Sequence, residues 1–272
     1  MSHHPDINFR PMRVDDDGIP NAARVYDYLL DGSFNTLVDR EFAAIIERQM
    51  PSTRECVRNN RAFATRAVRH AAERGVRQFL DLGAGIPTAG GLHKVAEEVD
   101  EDIRWAAIDN EAVAVATGEL TTENDDRVTY VYADFTEPGT VLNNPAVRAT
   151  IDFTEPVLVI LAAAMHFVAD SKNPYDVVAA YRDATVSNSM IALTHVTADD
   201  PNVTEMNATA DSYSSTRNGV TVRSFGQVRR FADGYTVVEP GIVLTADWRP
   251  DGLRDASVIP KSGAYGFVGI RR

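Results

Sequence analysis

Residues 78–88 read Gln78-Phe79-Leu80-Asp81-Leu82-Gly83-Ala84-Gly85-Ile86-Pro87-Thr88. A short apolar run meets an acid and then two glycines, which predicts a buried strand ending in a tight backbone turn. The same rhythm continues downstream. Strands are expected at Gln78–Leu82, Arg104–Asp109, Val128–Ala133, Val157–Ala162 and Ser189–His195, with helices at Gly91–Val99, Ala112–Thr122 and Pro174–Ala184 between them. Val157 to Leu161 is apolar throughout, as in a central parallel strand covered on both faces. Alternating strands and helices build a doubly wound α/β sheet. After a helical zone from Thr204 to Phe231, Thr236–Leu244 and Ala264–Arg271 read as two further strands, joined by an exposed loop from Ala246 to Gly263.

Upstream of Gln78 the pattern is helical. Pro20-Asn21 precedes a helix over Ala22–Leu30 that Asp31-Gly32 stops. From Ser52 to Arg74 the residues Val57, Phe63, Ala64, Ala67, Val68 and Ala71 share one arc, and arginines share the other. The expected organisation is a helical N-terminal cap over 1–76 and a single compact α/β unit over 77–272.

Composition narrows the function. Lys plus Arg is 27 and Asp plus Glu is 39, a net charge of −12, which argues against a nucleic-acid partner needing a concentrated positive field. The chain has one cysteine, Cys56, so an internal disulfide is excluded and a reducing compartment is expected. Met1 to Arg13 has no apolar leader, and Val157 to Val168 is too short to span a bilayer. A cytoplasmic protein that binds no membrane is expected. No His, Asp or Glu spacing suggests a metal site, and no pattern encodes an oligomeric state.

In open α/β sheets, ligands bind beyond the carboxyl ends of the strands. The dinucleotide fingerprint G-x-G-x-x-G fails here, because Thr88 stands at its third glycine. Asp81, two residues before Gly83, is a poor neighbour for a pyrophosphate and a good one for a cation. S-adenosylmethionine (SAM) carries an ammonium and a sulfonium and no phosphate. The next two strands also end in acids. Asp109 is placed to accept from ribose hydroxyls, with Asn110 beside the adenine, and Asp134 to accept from the adenine amino group, with Phe135 beside the ring. The alternative for each Asp is a helix cap.

With these residues in view, the chain resembles class I SAM-dependent methyltransferases, and among them an actinobacterial family of S-adenosyl methyltransferases. The resemblance is carried by the segments Pro20 to Asn35, Arg58-Asn59-Asn60-Arg61, Gln78 to Thr88, Met165 to Asp170, Val238 to Gly241 and Tyr265 to Gly269. It implies a Rossmann-like seven-stranded sheet with the last strand antiparallel. It also implies that Asp81, Gly83, Ala84 and Gly85 surround the methionine part, Asp109 the ribose, and Asp134 with Phe135 the adenine. Thr88 belongs to the family-specific turn, and Pro87 stands where the class pattern often has a third glycine.

Ala163 is expected at the cofactor's amino group, where small residues let the backbone approach. Tyr26 is expected at the cofactor mouth, to stack, hydrogen-bond or anchor the cap. Arg58 and Arg61 are the arginines suited to the cofactor carboxylate or to an anionic substrate. By resemblance to small-molecule O-methyltransferases His166 is the first choice of general base, with packing at the sheet edge as its alternative. His195 is second, and bonding to a loop carbonyl is the favoured reading for it. The expected activity is methyl transfer from SAM to a small-molecule oxygen or nitrogen acceptor. A SAM-binding protein without catalysis stays open. An NAD(P)-linked oxidoreductase is disfavoured, because no Tyr-x-x-x-Lys pair occurs.

Overall fold

The computed structural model describes residues 18–199, 203–217, 219–252 and 263–272. The expectations for Met1 to Arg13 and for most of the Ala246–Gly263 link lie outside them. In chain order the strands are β1 Gln78–Leu82, β2 Arg104–Asp109, β3 Val128–Tyr132, β4 Val157–Leu161, β5 Met190–Val196, β6 Tyr235–Val237, β7 Val243–Leu244 and β8 Ala264–Arg271. They form one sheet in the order β3-β2-β1-β4-β5-β8-β6, with β7 pairing on β8. The first five are parallel, and β8 runs antiparallel to both β5 and β6. The strand order therefore reverses between β1 and β4, where a ligand crevice opens in such sheets.

The helices are α1 Ala22–Leu29, α2 Leu37–Gln49, α3 Thr53–Glu73, α4 His93–Glu97, α5 Ala112–Thr121, α6 Pro138–Leu142, α7 Pro145–Thr150, α8 Pro174–Ala184, α9 Val203–Ser212 and α10 Phe225–Arg229. Two expectations change. The single strand over Thr236–Leu244 is split into β6 and β7, because Pro240 has no N–H for a ladder and Gly241 turns at φ +101°. The helical zone from Thr204 to Phe231 is interrupted as well. A short turn over Tyr213–Ser215 follows α9, and ahead of α10 Arg223 bridges to Thr197 beside the end of β5.

The alternation of side chains along the strands divides the core into two layers. Leu80, Leu82, Val157, Val159 and Leu161 face a layer closed by Val141, Val147, Val177, Val178 and Tyr181 of α6 to α8. Phe79, Leu158, Ile160 and Trp105 face the other, closed by Phe63, Ala64, Ala67, Val68 and Ala71 of α3. The α3 arc read from the sequence is therefore the face that packs on the sheet. Its N-terminal turns continue past the sheet's edge and meet α1 and α2, where Val25, Leu29, Phe42, Ala43 and Ile46 form a third, smaller core.

A buried carboxylate holds this small core in place. Asp39 on α2 accepts from Arg24 Nε at 2.7 Å, from the Asn21 backbone N–H at 2.9 Å, and from the Thr36 backbone N–H at 2.8 Å. Asn21 in turn caps α1 through Arg24 N–H. Burial works against the charge on Asp39, but the Arg24 guanidinium and these N–H groups prevail and hold its carboxyl below the usual range. Asp39→Ala leaves Arg24 buried and unpaired, which should destabilise the fold by about 3–5 kcal/mol. Because the folded pKa is the lowered one, the pair contributes above the ordinary carboxylate range and fades as pH falls through the folded value. Urea unfolding of wild type and Asp39→Ala at neutral and acid pH should show the difference shrinking in acid.

Candidate active site

A cavity of about 270 Å³ opens at the carboxyl ends of β1, β2 and β4. Its floor is the glycine loop. Gly83 and Gly85 adopt φ +71° and +63°, conformations that cost other residues strain. A Cβ at Gly83 would stand 2.9 Å from Ala164 Cβ and 3.5 Å from the Phe135 ring, whereas one at Gly85 would meet nothing within 4 Å. The first glycine thus permits close packing, and the second leaves bare backbone facing the cavity. The loop is pinned to β2: Gly83 and Ala84 donate to Ile108 O, and Gly85 N–H donates to Asp109 Oδ2 at 2.7 Å.

Twelve of the thirteen residues expected at the site line this cavity: Tyr26, Arg61, Asp81, Gly83, Ala84, Gly85, Asp109, Asn110, Asp134, Phe135, Ala163 and His166. Thr88 is not among the lining residues. Pro87 leads into a short turn over Thr88–Gly90, where the Thr88 hydroxyl donates to Asp27 Oδ1 at 2.7 Å. Thr88 therefore ties the glycine loop to α1. Arg58 also points elsewhere, pairing with Asp31 at the surface.

The three strand-end acids differ in environment. Asp81 is buried and, among the described residues, accepts no hydrogen bond. Burial, resisted by Arg61 and assisted by Asp109, pushes its pKa up to about 7. Asp109 is equally buried, and its pKa rises to about 6 although the Gly85 and Glu111 N–H groups oppose the shift. Asp134 is half-buried. It accepts from Thr136 N–H at 2.8 Å and faces Lys172 Nζ at 3.6 Å. Asp109 and Asp134 thus do bond to nearby backbone N–H groups as a cap would, yet each carboxylate oxygen keeps a lone pair for a ligand.

Ala163, just past β4, is left-handed at φ +58°, and the Thr194 hydroxyl accepts its N–H at 2.7 Å. A strained non-glycine residue at the head of a strand persists only where its surroundings hold it. His166 follows. It is buried, its Nδ1 has no partner, and burial, then the neighbouring His195 and Arg223, lower its pKa to about 3. His195 lies behind it, outside the cavity wall. Its Nδ1–H donates to Val196 O at 2.8 Å and its Nε2 accepts from Arg223 Nη1 at 2.6 Å, consistent with the carbonyl-bonded reading. Tyr26 does line the mouth, held by Asn60 Nδ2 at 2.8 Å.

Several residues that shape the site gave no clear signal in the sequence. Glu111 and Lys172 line the cavity; an acid two residues after Asp109 is the only hint of the former in the sequence. Asp27 is buried, accepting from Phe34 N–H, Asn35 Nδ2 and Thr88 Oγ1. Arg223 is fully buried and donates to Met165 O, Val168 O and Asp170 Oδ1, fixing the segment that carries His166. Met206, Thr209, Ala210 and Tyr213 come from the α9 region, far along the chain.

Comparison with known proteins agrees with this geometry. The S-adenosyl methyltransferase family matches residues 10–272. A crystallised candidate methyltransferase from Thermobifida fusca is similar over 97% of this chain and 99% of its own, with 31% identity and a TM-score of 0.91. A DUF574 family protein from Streptomyces avermitilis is similar over 93% of this chain and 98% of its own, with 32% identity and a TM-score of 0.84. No curated protein matches the chain. With a mostly parallel sheet, a glycine loop and strand-end acids around one cavity, and a family match over nearly its whole length, the chain belongs to the S-adenosyl methyltransferase family, whose cofactor is SAM.

Proposed function

We propose that this protein transfers the methyl group of SAM to an oxygen or nitrogen of a small molecule held deeper in the same cavity, with His166 receiving the acceptor's proton. The observation that carries the reading is Asp81, a buried residue at the lip of the glycine loop whose carboxylate, among the described residues, accepts no hydrogen bond. Burial resists its charge, and a ligand ammonium beside it favours the ionised form. Gly85 adds bare backbone where a ligand can approach.

When bound, SAM supplies a methyl group on a sulfonium, and the carbon–sulfur bond pair stays with sulfur as the methyl leaves. The chain's own work is to bind, align and shield. Asp81 takes the ammonium, Asp109 the ribose hydroxyls, and Asp134 with Phe135 the adenine; Arg61 is placed for a carboxylate. His166 is uncharged and only weakly basic, so its imidazole accepts a hydrogen bond from the acceptor and takes the proton once the bond to the methyl carbon has made that proton strongly acidic. Helices α1 and α2 with the first turns of α3 act as a cover that excludes water. A cavity roofed by helices suits a small acceptor. No helix among the described residues is long and apolar enough to cross a membrane, and one cysteine in an acidic chain fits the cytoplasm.

The raised pKa of Asp81 sets a pH dependence. A cation binds the ionised form, so below about pH 7 binding must release a proton and affinity falls as pH drops. Calorimetry with SAM should show up to tenfold weaker binding per pH unit below that point. Asp81→Asn should weaken SAM by roughly 1.5–3 kcal/mol and flatten the profile. His166→Ala should slow methylation of acceptors in a host metabolite extract by about 10²–10⁴-fold while SAM affinity holds. Since the His166 pKa lies at about 3, the acid limb of kcat/KM near pH 7 should persist in that variant.

A further inference from the structure

The charged residues lining the cavity lie at its donor end. Asp81, Asp109, Glu111 and Asp134 sit at the strand ends, Lys172 pairs with Asp134, and Arg61 faces Asp81. The other end is different. Leu29, Ile46, Met50, Val57, Met206 and Val220 line it, with no charged side chain among the described residues. Aromatic rings continue the wall from the donor side: His166 lies 4.4 Å from Phe167, Phe167 lies 5.8 Å from Tyr213, and Tyr213 meets Phe42 edge-on at 5.2 Å. Met206, Thr209, Ala210 and Tyr213 fall at helical spacing, so one face of α9 and the turn after it forms this part of the wall.

Most polar groups there are already used. Tyr26 Oη accepts from Asn60, the Thr53 hydroxyl donates to Met50 O, and the Thr194 hydroxyl accepts from Ala163. Among the described residues His166 Nδ1 and Thr209 Oγ1 have no partner, but both atoms are sealed within the wall, so the lining offers a ligand little besides apolar surface and the outer edge of the His166 ring. An ion entering an uncharged apolar chamber would lose its hydration without compensation.

Resting on the donor-site reading above, we propose that this chamber takes an uncharged, ring-bearing, largely apolar acceptor, which presents its one protic group to the His166 imidazole. The chamber rejects carboxylates and ammonium ions. In the transfer the acceptor's O–H or N–H lone pair forms the bond to carbon, its proton goes to His166, and the carbon–sulfur pair stays on sulfur.

The test measures three probes of one shape against the full-length protein at pH 7: hydroxybiphenyl, biphenylcarboxylate and biphenylmethylammonium. Fluorescence titration is run with and without saturating S-adenosylhomocysteine, whose own Kd is measured in parallel. Hydroxybiphenyl should bind at least tenfold more tightly than either ion. Ala210→Phe, which fills the chamber, should abolish hydroxybiphenyl binding while the S-adenosylhomocysteine Kd stays within twofold. Binding of an ion equal to that of hydroxybiphenyl, no hydroxybiphenyl binding, or indifference to Ala210→Phe would overturn the proposal. Failure of S-adenosylhomocysteine to bind would instead overturn the donor-site reading, and the cofactor-free titrations would still decide the chamber.

Discussion

The site is organised around a carboxylate that the fold buries and does not pair. Asp81 stands near the end of β1, between β2 and β4, at the point where the strand order reverses. Its neighbours in the strand are Leu80 and Leu82, both fully buried, so the strand cannot slide outward to hydrate it. Arg61 opposes the burial only in part, and Asp109 adds like charge. Burial is the main cause of its raised pKa, and the neighbouring charge of Asp109 adds to it. Asp81 therefore favours the neutral carboxyl in mildly acid solution, and a cation beside it would favour the charged form. A surrounding core of several fully buried strands supplies the rigidity that keeps such an arrangement from collapsing.

The cover over this site is built on the same chemistry with the opposite outcome. Asp39 and Asp27 are also buried, but each is surrounded by donors. Asp39 joins the starts of α1 and α2. Asp27 folds the turn from Gly32 to Asn35 beneath α1, where a Cβ on Gly32 would stand 2.0 Å from its carboxylate, and it reaches across to Thr88. The Thr88 bond makes the glycine loop and the cover one mechanical unit. Tyr26, one residue before Asp27, is thereby set at the cavity mouth.

The sheet was legible because its strands are continuous apolar runs ending in acids or small residues; β1 and β2 fall at the expected boundaries. The strand-end acids around the cavity are legible for the same reason, since Asp81 and Asp109 fall at or beside the ends of β1 and β2 and Asp134 just past β3. Thr236–Leu244 was misread because period-two apolarity does not reveal that Pro240 interrupts the ladder. Thr88 was misplaced because its hydroxyl partner, Asp27, lies 61 positions away. Arg223 and the α9 face were invisible for a related cause. Their partners at Met165 to Asp170 and at α2 are brought close only by the sheet, and nothing local in the sequence marks them.

The fixed position of His166 follows from those long-range contacts. Arg223 is bonded to carbonyls on either side of it, to Asp170 and to His195, and its planar fork serves all four at once in a way a lysine ammonium cannot. The same guanidinium, close behind the ring, disfavours a second positive charge on His166. Position and protonation state are therefore set by one residue. The imidazole is held at the cavity wall and kept uncharged, and burial together with its positive neighbours makes it a weak base there.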